Sequence, residues 1–262
     1  MSQVQTKSRI RESASRAEIH SCVVEKLSHY APLSDSEARL ISRLEERPRT
    51  FKANEVICGS GEELGSLFIV REGRAYTYQI LGDGRRQILQ LYYPGDIIGT
   101  RDIVFEQCTA STVCATEAVL CPFDKKDLKE VFEKAPKVAA LIYAIGMLEQ
   151  VVVLDRLKAI GRMQARERLA HFLLEVLSRS RVACHDPAAP LELRLNQETI
   201  GDVLGLTQVH VNRTFKQLER DGLIKRVNGK MELQEAELTH IAEFTDRYHR
   251  IDTSWFPVSR ED

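Results

Sequence analysis

Between Phe51 and Phe123 the apolar residues come in short runs, among them Ser66-Leu-Phe-Ile-Val, Ala75-Tyr-Thr-Tyr-Gln-Ile, Gln87-Ile-Leu-Gln-Leu-Tyr-Tyr and Ala118-Val-Leu-Cys-Pro-Phe. Their length and their β-branched and aromatic content predict strands. Glu72-Gly73, Gly82-Asp-Gly84 and Pro94-Gly95-Asp96 separate them and supply the positive φ angles of tight reversals. Successive antiparallel strands at this spacing predict a closed barrel or jelly roll. Ahead of them, residues 1–30 are polar and mixed in charge and read as an N-terminal extension. Leu33-Ser-Asp-Ser-Glu-Ala then opens a short capped amphipathic helix running to Leu44.

After Phe123 the period becomes helical. Val138, Leu141, Ile145, Leu148 and Val152 fall three and four apart as a heptad seam, and Ile142, Val151 and Leu154 form a second stripe beside it. A helix with so wide an apolar face packs on its own barrel and also on a partner helix. The seam residues are therefore the expected dimer interface, the alternative being an ordinary core helix of one domain. Gly161 marks a candidate hinge, and a helix from Gln164 to Ser178 buries Leu169, Phe172, Leu173, Val176 and Leu177. Val182-Ala-Cys-His-Asp-Pro-Ala-Ala-Pro reads as a loop, and Leu191-Glu-Leu-Arg-Leu alternates like a strand.

The stretch from Asn196 carries most of the chemistry. Asn196 caps a helix with Ile200, Val203 and Leu204 on its inner face, and Gly201 is small where a second helix crosses closely. Gly205 permits a left-handed turn, Leu206 plugs the corner, and Thr207 caps the next helix, which together describe a helix-turn-helix. On the second helix Val211, Phe215 and Leu218 face inward. Thr207, Gln208, Val209, His210, Asn212, Arg213 and Lys216 are left for DNA: arginine suits guanine, glutamine and asparagine suit adenine, and valine suits the thymine methyl group. Asn228-Gly229 closes a two-residue hairpin, a wing that ends in Lys230. From Thr207 to Lys230 six cations stand against two carboxylates, a local +4 where phosphates would sit.

Composition narrows the classes further. The 262 residues, 43% hydrophobic, suffice for two compact units, and the net charge of −1 excludes polyanion binding over the whole surface. No secretory leader and no uncharged run of eighteen apolar residues occurs, so the expectation is a cytoplasmic protein with no membrane contact. Cys22, Cys58, Cys108, Cys114, Cys121 and Cys184 contain no CxxC, in a chain too long and too apolar to need a disulfide framework. They read as reduced thiols packed as small hydrophobes, with metal or redox chemistry the alternative. No nucleophile elbow, phosphate loop or metal-spaced His/Glu motif points to an enzyme.

The strand-rich part, the long helix, Leu195-Asn-Gln-Glu-Thr-Ile-Gly-Asp-Val-Leu-Gly-Leu-Thr and the Asn228-Gly229 wing together resemble the CRP/FNR superfamily of transcription regulators over residues 35–245. Glu72-Gly73, Pro94-Gly95-Asp96 and Ile98-Gly99 resemble that family's cyclic-nucleotide-binding-type β-roll. The resemblance implies an α+β architecture: an extension (1–30), an antiparallel β-roll sensor (31–134), a dimerisation helix and hinge (135–162), a winged helix-turn-helix (163–250) and a tail (251–262). It implies a homodimer whose sensor repositions two recognition helices on a palindromic double-stranded operator, with RNA polymerase a further expected partner. Arg213 matches the family's DNA-reading arginine, whereas Val209 stands where many members carry glutamate.

The sensing chemistries of that family do not carry over. Gly99 is followed by Thr100 rather than glutamate, and Cys108-Thr-Ala-Ser-Thr lacks the arginine that meets a cyclic phosphate, so cAMP is not the expected effector. Gly99, Thr100, Arg101, Thr109 and Ser111 are the residues placed to meet some other effector. Cys22 stands alone in the N-terminal segment, against an iron–sulfur cluster of the family's kind. None of the seven histidines lies among the strands, so a haem there would need a thiolate ligand. Cys184 and His185 are half of a metal or redox site, and a regulator acting through its cysteines is the alternative reading.

Overall fold

The computed structural model describes residues 21–184 and 190–258. Helix α1 (Cys22–Tyr30) is capped by Ser21, whose hydroxyl accepts the Val24 N–H, and it buries Val23 and Leu27. Residues 21–30 are thus part of the core and not an extension: two apolar residues four apart dock a helix, even when the average composition around them is polar. Helix α2 (Asp35–Ser42) starts where expected, on a capping box between Ser34 and Glu37.

The β-roll is two four-stranded antiparallel sheets. One has the order β1 (Arg49–Phe51), β8 (Ala118–Phe123), β3 (Leu67–Glu72), β6 (Ile97–Ile98); the other has β2 (Val56–Cys58), β7 (Ser111–Cys114), β4 (Ala75–Ile80), β5 (Arg86–Tyr92). Gly73 shows why glycine is needed at the β3–β4 reversal: it sits at φ +81°, and a Cβ there would lie 2.3 Å from the Glu117 carbonyl oxygen. Val70 and Leu120 are fully buried between the layers, and Leu67 and Ile69 are buried on the other face of β3 against the helices. Helix α3 (Lys125–Lys134) leads into α4 (Pro136–Arg162), which is unbroken through Gly161. The change of direction falls two residues later, at Met163, whose extended backbone (φ −85°, ψ 150°) ends the helix.

Helix α5 (Ala165–Cys184) outruns its predicted end by two turns and takes in Val182–Cys184, which the prolines further on made look like loop. Next come α6 (Gln197–Leu204), α7 (Gln208–Arg220), β9 (Ile224–Val227), β10 (Lys230–Leu233) and α8 (Glu235–Ala242). Leu191–Leu195 is not a strand. It makes a single bridge, Leu191 to Met231, because the wing has only two strands and offers one residue of pairing at its edge.

The two ends of the chain share packing. Tyr76, Ile88 and Leu91 of the roll belong to the same buried cluster as Leu169, Phe172, Ile200 and Phe215. The tail also returns to the roll's side, with Ile251 and Phe256 packed on the cluster of α1, β3 and α4.

Cys58 and Cys108 are joined by a disulfide, which corrects the expectation of six packed thiols. Spacing along a sequence carries no sign of this pair, because β2 and the loop before β7 meet only in the folded roll. Cys114 and Cys121 are buried free thiols, as small hydrophobes would be, and Cys22 is half-buried.

Candidate nucleic-acid interface and sensor cradle

The helix-turn-helix is assembled by local chemistry. The Asn196 side chain accepts the Thr199 N–H at 2.8 Å, Gly205 takes the left-handed conformation (φ +64°), and the Thr207 hydroxyl accepts the His210 N–H at 3.3 Å. Gly201 is required by the turn itself, since a Cβ there would lie 2.5 Å from the Leu206 carbonyl oxygen. Val211, Phe215 and Leu218 are buried.

Of the residues expected to read DNA, Thr207, Gln208, Val209, Arg213 and Lys216 are exposed, Val209 by 80%. His210 and Asn212 are half-buried and act within the protein. Arg213 donates to His210 Nε2 at 2.9 Å, so that nitrogen is an acceptor. Asn212 donates to Gln197 at 3.0 Å and ties the recognition helix to the start of α6. Gln197 was absent from the sequence expectation because it sits on the other helix.

In the wing, Asn228 (φ +51°) and Gly229 (φ +78°) form the two-residue reversal. Two of the six cations stand in ion pairs: Arg226 pairs with Glu219 at 3.0 Å and lies over the Phe215 ring, and Lys230 pairs with Glu192 at 3.3 Å. Glu192 lies outside the window that gave +4 and is also paired with Arg194 at 2.6 Å, while Arg166, likewise outside it, pairs with Asp221 at 2.7 Å.

Helix α4 turns its expected dimer seam inward. Val138, Leu141 (each 0% exposed) and Val152 are buried against their own domain, with Ile145 and Leu148 packed beside them. The expected dimer seam is therefore the inward face. Tyr143 (61% exposed), Met147, Gln150, Leu154 (57%) and Leu157 (66%) run outward at steps of four and three residues. In length and composition α4 would also suffice to cross a bilayer. One of its faces is sealed on the roll, however, and Glu149 on its flank is paired with Arg179 at 3.2 Å.

A buried hub ties sensor to reader. Asp96, in the β5–β6 turn, is paired with Lys26 of α1, accepts from Arg179 of α5 at 2.8 Å, and accepts the Tyr93 N–H at 2.7 Å. Burial opposes the Asp96 charge, yet Lys26 and Arg179 hold its carboxyl below the ordinary carboxylate value. Arg179 also lies 4.6 Å from the Tyr93 ring centre and 5.2 Å from that of Tyr248. Arg156 of α4 pairs with buried Glu175 of α5 and donates to the Leu89 carbonyl at 3.2 Å. On the roll's flank, Arg86 donates to Asp202 of α6 at 2.6 Å, and Arg74 donates to the carbonyls of Glu192 and Leu193. These charged residues escaped the sequence reading because charge on a helix, in a turn or at a strand end ordinarily means solvent.

The five expected effector residues divide. Gly99 makes a left-handed turn (φ +97°), and Thr100 and Arg101 line a cavity of about 430 Å³ between α1, β5 and α4, alongside Tyr92, Ile142 and Val153. Ser111 faces away from it, its hydroxyl accepting the Ser60 N–H. Thr109 donates its N–H (3.1 Å) and hydroxyl (2.5 Å) to Asp102, which also takes the Arg101 guanidinium at 3.0 Å. Burial opposes the Asp102 charge, but Thr109 and Arg101 keep its carboxyl below the ordinary value. A carboxylate of the chain thus occupies donors of Thr109 and Arg101. Cys184 ends α5, but its side chain and His185 lie outside the described residues. Among the described residues, no three His, Cys, Asp or Glu side chains gather to hold a metal ion.

Residues 48–135 match the family model of the cyclic nucleotide-binding domain, and residues 167–238 match that of the Crp-like helix-turn-helix domain. The transcriptional activatory protein AadR of Rhodopseudomonas palustris is 30% identical over 210 residues, which span 80% of this chain and 85% of AadR. The nitrogen fixation regulation protein FixK of Bradyrhizobium diazoefficiens is 29% identical over 212 residues, 81% of this chain and 88% of FixK. Among solved structures, FixK2 from Bradyrhizobium japonicum superposes with a TM-score of 0.66 at 26% identity, covering 74% of this chain and 96% of FixK2.

Proposed function

Because the chain belongs to the CRP/FNR family of DNA-binding transcription regulators, which are not enzymes, we propose that it acts in the cytoplasm as a homodimer that reads a palindromic operator with one α7 from each subunit. The observation that carries the reading is the exposed face of α7, where Gln208, Val209, Arg213 and Lys216 stand clear of the core that holds the helix. Two such helices related by a two-fold axis enter successive major grooves about 34 Å apart. The outward seam of α4, Tyr143 to Leu157, supplies the contact that sets this spacing. Arg213 suits guanine, Gln208 adenine and Val209 a thymine methyl group, so the half-site differs from that of members with glutamate in place of Val209.

The signal enters at the cavity beside α4 and is not a cyclic nucleotide, since Asp102 already takes the donors of the cradle. The hub at Asp96 and Arg179 carries the change to α5 and hence to the reader. The name of AadR as an activator supports RNA polymerase as a further partner. The Cys58–Cys108 bridge favours a second reading in which the signal is oxidative.

The test is selection of genomic fragments by the purified chain, with light scattering on the same sample. The expected result is a dimer that enriches an inverted repeat with strongly salt-dependent affinity. A monomer, or enrichment of sites without two-fold symmetry, would overturn it.

A further inference from the structure

A regulator that acts on DNA works where thiols are kept reduced, and in such a compartment a disulfide that forms is usually one that cycles. On that premise, which rests on the function proposed above, the place of the Cys58–Cys108 bridge acquires meaning. Cys58 closes β2 and is half-buried, whereas Cys108 is buried and immediately precedes Thr109. The strand of chain before Thr109 is laid against residues 59–64: Cys108 N–H donates to the Glu62 carbonyl at 2.8 Å, and Gly61 N–H donates to the Cys108 carbonyl at 2.9 Å. Just upstream, Val104 and Phe105 are 79% and 52% exposed, so this loop gains little anchorage from the core at its tip. Thr109 in turn supplies two of the hydrogen bonds on Asp102, whose neighbours Arg101 and Thr100 line the cavity.

We propose that Cys58 and Cys108 are a thiol–disulfide exchange site, reduced by cellular dithiols, that sets how firmly the Asp102–Thr109 cradle is held and so regulates the DNA-binding dimer. One thiolate of the dithiol attacks the more accessible sulfur, that of Cys58. The Cys58–Cys108 bond breaks, a mixed disulfide forms on Cys58, and Cys108 leaves as a thiolate that takes up a proton. The second thiolate of the dithiol then attacks the mixed disulfide and releases Cys58, also to be protonated, and the dithiol departs as its own disulfide. Two electrons pass to the protein, and a disulfide-class oxidant returns it by the reverse exchange. The remaining described thiols do not compete, since Cys22, Cys114 and Cys121 are each pushed up to about 11, burial being the leading cause in all three.

The experiment compares the full-length chain, oxidised with a low-molecular-weight disulfide or reduced with dithiothreitol, by alkylation mass spectrometry, hydrogen exchange and affinity for the genomic fragments it enriches. The expected results are a 58–108 cross-linked peptide only in the oxidised form, and exchange over residues 102–110 about tenfold faster after reduction. DNA affinity is expected to differ about fivefold between the two forms, and that difference is expected to vanish in a Cys58→Ser, Cys108→Ser variant. Absence of the cross-link, unchanged exchange over 102–110, or equal affinity in the two forms would each overturn the proposal. Because the first two readouts concern the wild-type roll alone, a variant that fails to fold does not hide the answer. A chain that binds no DNA in either form would sink the proposed function instead, with the exchange result still judging the redox site.

Discussion

Helices α7 and α4 are both amphipathic, yet the pattern of apolar residues located the exposed face of one and inverted that of the other. On α7 a single apolar stripe, Val211, Phe215 and Leu218, has one place to go, and the side opposite it, with Gln208, Val209, Arg213 and Lys216, is exposed. On α4 both faces are apolar, so periodicity identifies two stripes without saying which meets the roll. The roll took the stripe of Val138, Leu141 and Val152, leaving Tyr143, Leu154 and Leu157 outside. A one-sided pattern is an instruction; a two-sided one is a choice settled by the neighbours.

Five variants put this contrast to the test. The largest effect is expected at the hub where α4 meets α5: Arg179→Met leaves Asp96 and Glu149 without their shared cation. It should lower unfolding stability in urea by about 3–5 kcal/mol. A loss under about 1 kcal/mol would mean that the hub is not what couples the two halves. Next, Leu141→Ala should cost about 2–5 kcal/mol and leave a folded dimer. Leu154→Glu combined with Leu157→Glu should give folded monomers by light scattering. If Leu141→Ala dissociates the protein and the glutamates do not, the inward and outward assignments must be exchanged.

On α7, Arg213→Ala should weaken specific DNA binding by about 1–3 kcal/mol without moving the melting temperature. An unchanged affinity for the enriched fragments would remove Arg213 from the reading face. The smallest effect concerns His171 on α5, which packs edge-on against Phe244. Burial lowers its pKa from the ordinary 6.5, and Glu175 opposes this only in part. The unfolded chain therefore binds a proton below about pH 6.5 before the folded one does, and stability should be full above that pH and decline as pH falls below it. A His171→Gln variant should lose less of its melting temperature than the wild type between about pH 7 and 5.5; equal losses would contradict the assignment.

The parts of the site legible in sequence are those decided within a few residues. Asn196, Gly205, Thr207 and the Asn228-Gly229 turn each act on backbone groups no more than four positions away, and all four stand as expected. The illegible parts join distant positions. Asn212 meets Gln197 across the helix-turn-helix, Lys230 meets Glu192, Arg86 meets Asp202, and Cys58 meets Cys108. None of these pairs has a spacing that marks it, and the charged members look like surface until the opposite charge arrives.

Hydrophobic period, turn chemistry and capping operate at short range, so the strands of the roll, the long helix, the helix-turn-helix and the wing were legible along the chain, whereas the helix at Cys22–Tyr30 and the irregular 191–195 segment were not. Packing settled which side of α4 faces outward, that Asp102 takes the donors of Thr109 and Arg101, and that Cys58 lies within bonding reach of Cys108. Those outcomes depend on which surfaces compete for the same apolar face or the same donor, and that competition exists only once the two sheets and the long helix are packed.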